Sequence, residues 1–219
     1  MATDTLNMPH LGVAGRVNLQ KFCAIGDVRT YLNQPWKHKG WHIGADGWIL
    51  VAIPHSAPDV PDTPEVPDGT IKVLDSILSF DFEQAVLIDA SAIALPAAKA
   101  CVECDATGSV SEYLCSDCEG SGDCETYGGD CSTCDGAGYL ISSVLMTGPG
   151  VKQVHCMSCF GSGHGNKNDV IRIGEVNFSA CLVRRLLVLP DLVFAVDATT
   201  LKANFRFWGG VGALAGRWI

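Results

Sequence analysis

Residues 101–163 repeat one pattern four times, as CVECDATG (101–108), CSDCEGSG (115–122), CSTCDGAG (131–138) and CMSCFGSG (156–163). Three copies fit C-x-x-C-x-G-x-G, and the first has Ala106 where the others have glycine. Two residues between the cysteines let a tight turn direct both sulfurs at one tetrahedral metal ion, so one motif supplies half of a site. The four motifs therefore predict two sites of four thiolates each.

The residue types in these motifs point to structural zinc. Four thiolates leave no open coordination position, so we expect no zinc-activated water and no catalytic role for the metal. The glycines allow positive φ and let backbone amides approach the sulfurs, a need that Ala106 meets only if its φ stays negative. Because the segment has little apolar material, we expect two zinc ions, each worth about 10–16 kcal/mol, to drive its folding.

The four motifs, with both their ligands and their glycines, resemble the cysteine-rich domain of DnaJ-type co-chaperones. The resemblance implies an extended, V-shaped arrangement of β-hairpins in which the first motif pairs with the fourth and the second with the third. It implies these zinc ligands: Cys101, Cys104, Cys156 and Cys159 for one ion, and Cys115, Cys118, Cys131 and Cys134 for the other. This nested pairing has no chain crossings. Chain order alone also allows the first motif to share an ion with the second.

The resemblance covers residues 101–163 alone. The sequence contains neither the His-Pro-Asp loop of a J-domain nor a Gly/Phe-rich linker, so stimulation of a partner chaperone's ATPase is not implied. Binding of non-native polypeptides is what the resemblance does imply. Between the third and fourth motifs, a β-prone stretch over 138–146 and a return over 151–155 predict a hairpin that joins the two sites.

Acidic side chains are concentrated in the same segment. Residues 101–163 carry nine acidic residues and one basic residue, Lys152, and so hold most of the chain's net charge of −9. Each zinc bound by four thiolates adds further negative charge. We expect the segment to repel nucleic-acid phosphates and to favour basic or neutral polypeptides. The alternative is that these acids only keep a core-poor segment soluble.

Three further cysteines and two histidines could add to these sites. Cys124, between the second and third motifs, could replace a ligand or act as a free thiol, but we expect a loop residue without a role. Cys23 and Cys181 lie in apolar patterns and are predicted to be core residues. His155 and His164 flank the fourth motif, but eight thiolates already fill two sites, so we expect neither to bind metal.

The flanking segments, 1–100 and 164–219, are each too irregular to form an independent domain. We therefore predict an α+β, β-rich host domain built from both, with the DnaJ-type two-zinc β-hairpin module of 101–163 inserted in a surface loop and the host core lying outside it. The order of the predicted elements in 17–53 and 170–214 resembles one domain of a DNA sliding clamp. A single such domain would have to form a homo-oligomer to close a ring.

Local patterns predict the elements of the first host segment. Asn18 is predicted to cap a helix whose apolar face runs from Leu19 to Leu32. Two apolar runs flank Ala45-Asp46-Gly47, which predicts a hairpin. The stretch Pro54–Pro67 contains five prolines and is predicted to be an extended surface loop. Strand material is expected from Phe80 to Ile88.

The second host segment is predicted to continue the sheet. Strands are expected over 170–173, 192–196 and 201–207, and the last of these alternates strictly. Helical spacing over 178–189 ends at a proline. The run Gly209-Gly-Val-Gly212 is expected to end the sheet.

Three functions are compatible with these features. No nucleophile, base and orienting group stand in a recognisable order, and no Walker or dinucleotide fingerprint occurs, so we expect a binding protein and not an enzyme. The first hypothesis is a zinc-dependent protein that binds a partner or an unfolded polypeptide segment by β-strand addition. The second is a DNA-metabolism accessory protein whose clamp-like host contacts nucleic acid through these candidates: Lys37, Lys39, Arg184, Arg185, Lys202 and Arg206. The third is thiol–disulfide chemistry by a CxxC pair, which closed zinc sites would suppress.

The sequence also predicts where the protein resides. Met1–His10 has neither a basic start nor an apolar run, so no secretory signal is expected. Charged residues and prolines interrupt the longest apolar stretches, 85–102 and 182–196, so we expect no membrane span. Without an export signal, cysteines are more typical of metal binding than of disulfides. We therefore expect a cytoplasmic protein.

Overall fold

The main sheet takes strands from both sides of the cysteine-rich segment. The computed structural model describes residues 17–54, 65–123 and 128–217. Its helices and strands are, in chain order, β1 (Trp36–His38), β2 (Trp41–Ala45), β3 (Ile49–Pro54), α1 (Asp68–Leu78), β4 (Leu87–Asp89), β5 (Ser109–Leu114), β6 (Tyr139–Ser142), β7 (Val151–His155), β8 (Val170–Ile173), β9 (Val176–Ser179), α2 (Ala180–Leu186), β10 (Val193–Asp197), β11 (Lys202–Phe207) and β12 (Gly210–Ala215). The described part of the chain is therefore β-rich, as expected.

Seven antiparallel strands form this main sheet, in the order β1-β2-β3-β12-β11-β10-β4. Strand β3 precedes the cysteine-rich segment and β12 follows it, and the two are direct neighbours, with Leu50 opposite Ala213. Strand β4 likewise pairs with β10, with Ile88 opposite Phe194. The residues on either side of the cysteine-rich segment thus share one sheet.

Both faces of the main sheet are covered. Alternate residues of β3 face two different cores, because successive side chains of a strand point to opposite faces. Val51 belongs to the core that also contains α2 and the β8–β9 hairpin. Leu50 belongs to the core under α1, with Leu74 and Ile77. The continuous apolar run of β3 follows from this double burial.

Several predicted elements are confirmed. Strands β2 and β3 form the expected hairpin, and the Asp46 carboxylate in its turn accepts hydrogen bonds from the backbone amides of Trp48 and Ile49, both at 2.8 Å. Strands β8, β10 and β11 and helix α2 lie where the patterns placed them, although α2 is shorter than its apolar spacing suggested. Among the described residues, no helix combines the length and the apolar character needed to cross a bilayer.

The prediction of a helix after Asn18 is wrong in its length. Asn18 does act as a cap, its side chain accepting from the Gln20 amide at 3.1 Å, but the helix is a single 3₁₀ turn over Leu19–Phe22. A second 3₁₀ turn covers Thr30–Leu32. Gly26 between them has a φ of +70°, which a right-handed helix cannot contain, and so the apolar spacing continues across a loop.

Helix α1 was not predicted. Residues 80–88 were expected to be strand material, but Phe80 and Phe82 lie in the turn that follows α1, with ring centroids 4.8 Å apart, and only Leu87–Asp89 forms a strand. The buried positions of α1 are Leu74 and Ile77, which are three residues apart and give a weak helical signal. The central part of the expected proline-rich loop, 55–64, lies outside the described residues.

The glycine run expected to end the sheet instead begins a central strand. Strand β12 starts at Gly210 and pairs with β11 on one side and β3 on the other. A Cβ on Gly210 would overlap the ring of Phe207, and one on Gly212 would overlap the Phe205 ring and the Leu50 carbonyl. These glycines are needed because aromatic rings of the neighbouring strand lie directly over the backbone.

We predict that Gly212→Ala destabilises the protein by about 1–3 kcal/mol, because the added methyl group must displace a buried ring or the neighbouring strand. Urea unfolding of the zinc-loaded protein would measure this change. The control is Gly69→Ala in α1, where a Cβ meets no atom within 4 Å. We expect that control to leave stability unchanged or slightly raised. Equal unfolding midpoints for the two variants would contradict the prediction.

Candidate metal centres

The structure brings the eight motif cysteines together in two groups of four. The first group, called the outer cluster, is Cys101, Cys104, Cys156 and Cys159. The second, called the inner cluster, is Cys115, Cys118, Cys131 and Cys134. All eight side chains are buried, and within each cluster all sulfur atoms lie within 4.8 Å of one another. The first motif is thus grouped with the fourth and the second with the third, which is the grouping that the DnaJ-type resemblance implies.

The sulfur–sulfur distances match a tetrahedral site. Across the outer cluster Cys101 and Cys156 are 3.9 Å apart and Cys104 and Cys159 are 3.7 Å apart. The corresponding pairs of the inner cluster are also 3.9 and 3.7 Å apart. Four sulfurs about 2.3 Å from a central ion form a tetrahedron with edges of about 3.8 Å. A disulfide needs about 2.05 Å, so the observed spacing fits a metal ion in each cluster.

Backbone hydrogen bonds join the two motifs of each cluster reciprocally. In the outer cluster the Cys101 amide donates to the Gly163 carbonyl at 3.0 Å, and the Cys156 amide donates to that of Gly108 at 2.9 Å. In the inner cluster the Cys115 amide donates to the Gly138 carbonyl at 3.0 Å, and the Cys131 amide donates to the Gly122 carbonyl at 2.7 Å. Each site therefore has approximate twofold symmetry, with one motif as each half.

The last glycine of the motif points its amide at a ligand sulfur. The Gly108 amide donates to Cys104 Sγ at 3.3 Å, and the Gly122 amide donates to Cys118 Sγ at 3.4 Å. The Gly138 amide does the same to Cys134 Sγ at 3.2 Å. The expectation that the glycines let amides approach the sulfurs is confirmed, and such donors stabilise thiolate charge.

These glycines are also where the two motifs of a site touch. A Cβ on Gly122 would overlap the Gly136 carbonyl, and a Cβ on Gly163 would overlap that of Ala106. The structure corrects the expectation for Ala106, whose φ is +61° and not negative. The backbone at this position follows the glycines of the other motifs, and a left-handed φ in a residue with a side chain costs about 1–2 kcal/mol.

Without a cation, the thiols of one cluster ionise unequally. Desolvation opposes ionisation of Cys118, but the backbone amides of the following glycines outweigh it and lower its pKa to about 7. Desolvation raises the pKa of Cys134 to about 12. In the outer cluster the pKa of Cys104 is lowered although desolvation opposes this, whereas desolvation raises that of Cys156 to about 11. A divalent cation at the centre would stabilise all four thiolates at neutral pH.

A three-stranded sheet connects the two clusters. Its order is β6-β5-β7, with Val110 of β5 opposite Val154 and Glu112 opposite Ile141. The hairpin predicted between 138–146 and 151–155 is therefore wrong, because β6 and β7 both pair with β5 and not with each other. Strand β5 was missed because Ser109–Leu114 contains only three apolar residues between two motifs.

The outer cluster lies within the core of the host. Cys101, Cys104, Cys156 and Cys159 pack in one apolar cluster with Val51 of β3 and Leu182 of α2. Val110 and Phe160 belong to the same core. The expectation that the host core lies wholly outside 101–163 is therefore wrong, since apolar residues of the module complete it.

A buried ion pair reinforces this junction. The Arg185 guanidinium of α2 pairs with the Asp46 carboxylate, and the two side chains are 9% and 3% exposed. The same guanidinium donates to the carbonyls of Phe160 at 2.9 Å and Lys21 at 3.0 Å. One side chain thus ties the fourth motif to the β2–β3 turn and to the first 3₁₀ turn.

Among the described residues, the inner cluster shows no such contacts with the host. Its four cysteines form a separate cluster, and Leu140 of β6 is the partly buried apolar residue of the described ranges that packs against it. The ends of the module are joined more tightly, because Ala100 and His164 form an antiparallel bridge and the Gly165 amide donates to Lys99 at 2.7 Å. The module is therefore anchored at the outer cluster and extends away from it.

The other candidate residues that the structure describes do not join either cluster. Cys23 and Cys181 are buried core residues, as predicted, and the Cys181 thiol lies 3.2 Å from the Asn166 carbonyl. His155 packs beside Gly161, and its desolvation lowers its pKa to about 4. His164 bonds within its own loop. Cys124 lies outside the described residues.

The donor set and geometry describe two closed, buried sites for a metal ion. Four thiolates per site suit zinc, and they leave no position for a substrate or water. Searches against protein-family models, curated proteins and solved structures found no match to this chain. The likeness to the DnaJ-type domain is therefore carried by the motifs of residues 101–163 and by their grouping.

Double substitutions test the grouping of the motifs. We expect Cys101→Ser with Cys159→Ser to remove one metal ion per chain and to leave the inner site loaded, because both residues belong to the outer cluster. Cys101→Ser with Cys118→Ser should remove both ions, since each cluster loses a ligand. Elemental analysis of the purified variants gives the stoichiometry. The opposite result for the two pairs would mean that the first and second motifs share an ion.

Replacing residues 115–138 by Asn-Gly tests the independence of the inner cluster. Leu114 and Tyr139 are cross-strand partners, so a two-residue turn can close β5 onto β6. We expect one metal ion per chain and an unchanged unfolding midpoint for the host. Replacing all of 101–163 should instead destabilise the host by at least about 3–5 kcal/mol, because it removes Phe160 and Val110 from the core. Equal stability of the two deletions would contradict this division.

Proposed function

We propose that this chain is a zinc-dependent protein-interaction protein that binds extended or unfolded polypeptide segments and carries two structural zinc ions. The observation that carries the proposal is the pair of buried four-cysteine clusters with tetrahedral sulfur spacing. Zinc is the ion that such closed four-thiolate sites suit best. One ion is held by the outer cluster and the other by the inner cluster.

Binding is proposed over catalysis because each site is coordinatively saturated. A metal with four protein thiolates has no place for an activated water. Its contribution is then to stabilise the surrounding strands, which have little apolar core of their own, and to present them to a partner. The inner cluster supports this, because within the part of the chain that the structure describes Leu140 alone is a partly buried apolar residue packed against it.

The DnaJ-type resemblance supports a polypeptide as the partner. The motifs, their glycines and their nested grouping all agree with that family's zinc domain, whose clients are non-native proteins. The acidic character of residues 101–163 favours basic or neutral chains. The proposal is therefore one of direct polypeptide binding by these residues.

A DNA-metabolism function through a clamp-like host has less support. Four of its six candidate cations already contact other groups of the chain. Lys39 pairs with Asp75, Arg206 pairs with Glu83, and Arg185 is buried against Asp46. Arg184 donates to the Pro96 carbonyl at 2.6 Å. Arg184 and Arg185 are adjacent on α2, but Lys39 and Arg206 lie on other parts of the chain, and a binding face for phosphates needs its cations together and available.

Thiol–disulfide exchange by a CxxC pair also has less support. Sulfurs of different motifs lie 3.7–3.9 Å apart across each cluster, well beyond the about 2.05 Å of a disulfide. A redox pair needs an accessible thiolate, whereas all eight ligand cysteines are buried. Metal release would have to precede any exchange.

The proposal is tested by metal content and by binding of an unfolded chain. We expect two zinc ions per chain by elemental analysis, and binding of a reduced, alkylated and permanently unfolded polypeptide in a fluorescence anisotropy assay. The Cys101→Ser/Cys118→Ser double variant should lose both zinc ions and at least about 90% of the binding, because its module unfolds. Ser132→Ala changes an exposed residue between two ligands of the third motif and should bind normally. Iron in place of zinc, or equal binding by the metal-free variant, would overturn the proposal.

A further inference from the structure

A cleft of about 500 Å³ separates the three-stranded sheet of the module from the host. Its host wall is formed by residues 24–29 and by the β2–β3 turn with Trp48. Its module wall is formed by one face of β5, β6 and β7 and by the fourth motif. This volume lies within the range of about 300–1,000 Å³ that is typical of ligand pockets.

Exposed apolar side chains gather in this cleft. Trp48, Ile25, Tyr139, Ile141 and Met157 all line it, and each is at least 37% exposed. The Trp48 ring is held in place by Phe160, with ring centroids 5.3 Å apart. Apolar groups collected in one concave place, and not scattered over the surface, are typical of a binding site.

The cleft borders an open sheet edge. Strand β6 is an outer strand of the three-stranded sheet, and within the described residues no strand pairs with its far side. The opposite outer strand, β7, is covered, because a Cβ on Gly26 would lie 2.6 Å from the Gln153 carbonyl. Of the two edges, β6 is therefore the one that can accept a further strand. Its residues Tyr139 and Ile141 lie on the cleft side of the sheet.

The charges that line the cleft are mainly negative. Asp27 forms an ion pair with Arg29 at 2.8 Å. Arg29 is the only Lys or Arg among the residues that line the cleft. Glu103 is exposed and forms no ion pair within the described residues. Glu112 lies 3.5 Å from the exposed Lys152, which is a weak contact. Glu103 and Glu112 are thus available to a basic ligand, and they would repel a phosphate backbone.

We infer that this cleft binds an extended polypeptide segment that pairs with the outer edge of β6. Its side chains on the cleft face are apolar beside Trp48 and Ile141, and are Lys or Arg beside Glu103 and Glu112. The inference rests on the proposed function and gives it a location and a ligand class. β-Strand addition supplies backbone hydrogen bonds that any sequence can make, and the cleft selects alternate side chains. Neither wall is sufficient alone, since Trp48 comes from the host and Ile141 from the module.

Three labelled synthetic nonapeptides test the ligand class with the zinc-loaded full chain. The first, the Leu/Lys peptide, has Leu and Lys in turn at its odd positions and Ser at its even positions, so that both residue types share one face. The second has Glu in place of Lys, and the third is the Leu/Lys peptide with alternate amides N-methylated. We expect the Leu/Lys peptide to bind, and the other two to bind at least about tenfold more weakly, because they lose the charge match or the strand pairing. Equal affinity for the three peptides would overturn the inference.

Two substitutions test the location. Ile141→Ser and Trp48→Ala should each weaken binding of the Leu/Lys peptide by at least about fivefold, as loss of an apolar anchor does. Ile141 is 61% exposed, so its substitution leaves the fold and both zinc ions in place, which elemental analysis checks. The control is Val86→Ser, which removes an apolar side chain of 86% exposure outside the cleft. It should bind like the unsubstituted protein.

The outcomes separate this inference from the proposed function. If Ile141→Ser binds both the Leu/Lys peptide and the unfolded polypeptide as tightly as the unsubstituted protein does, the cleft is not the site while the proposed function stands. If the unsubstituted, zinc-loaded chain binds neither the peptides nor the unfolded polypeptide, the proposed function itself fails. If the protein instead binds a single-stranded oligonucleotide, and Ile141→Ser weakens that binding, the cleft has a different ligand and the inference is wrong.

Discussion

The convergence of four sulfurs from the two ends of the cysteine-rich segment is the constraint on which the rest of the structure depends. Cys104 and Cys156 are far apart in sequence, yet their sulfurs belong to one tetrahedron. Closing a loop of about 50 residues costs about 4 kcal/mol of chain entropy in a simple crosslink model. A structural zinc ion, at about 10–16 kcal/mol, can offset this cost, whereas the few apolar residues of the segment could not. The same closure brings Ala100 beside His164 and lets β4 and β10 join one sheet.

The outer cluster also couples metal binding to the stability of the host. Its cysteines belong to the same buried apolar cluster as Val51 and Leu182, so loss of the ion would leave mutually repelling thiolates, or poorly packed thiols, within the main core. The buried Arg185–Asp46 pair adds to this coupling, because Arg185 also holds the Phe160 carbonyl of the fourth motif. Breaking one partner of a buried pair costs about 3–5 kcal/mol. Displacement of the fourth motif would therefore weaken the host as well as the module.

The sequence predicted the chemistry of the site better than its surroundings, for identifiable physical reasons. The metal ligands could be found because coordination restricts spacing to CxxC and the turn restricts the following residues to glycine. The β2–β3 hairpin was equally visible, because Asp46-Gly47 gives a local turn signal. Strand β5 was missed because its partner strands lie beyond the second and third motifs in sequence. Strand β12 was missed because its glycines suggested the end of a sheet, although it forms a tight hairpin with β11 and also pairs with β3. Gly212 in particular is required by a ring from the neighbouring strand and not by any local turn. Ala106 shows the same limit, since the turn that follows the first CxxC pair holds a φ of +61° that its residue type disfavours.

The two clusters position opposite ends of the three-stranded sheet that forms one wall of the cleft. The outer cluster fixes where the three-stranded sheet stands relative to Trp48, because it shares the host core and lies at the base of β5 and β7. The inner cluster fixes the other end, where the Cys115 amide bonds to Gly138 beside the Leu114–Tyr139 pair. A strand that slips by one residue turns its whole set of side chains to the opposite face. Because β6 is only four residues long and has one partner strand, its own ladder sets this register weakly. The inner site therefore helps to keep Tyr139 and Ile141 on the side of the cleft, although none of its four cysteines lines the cleft or belongs to the host core.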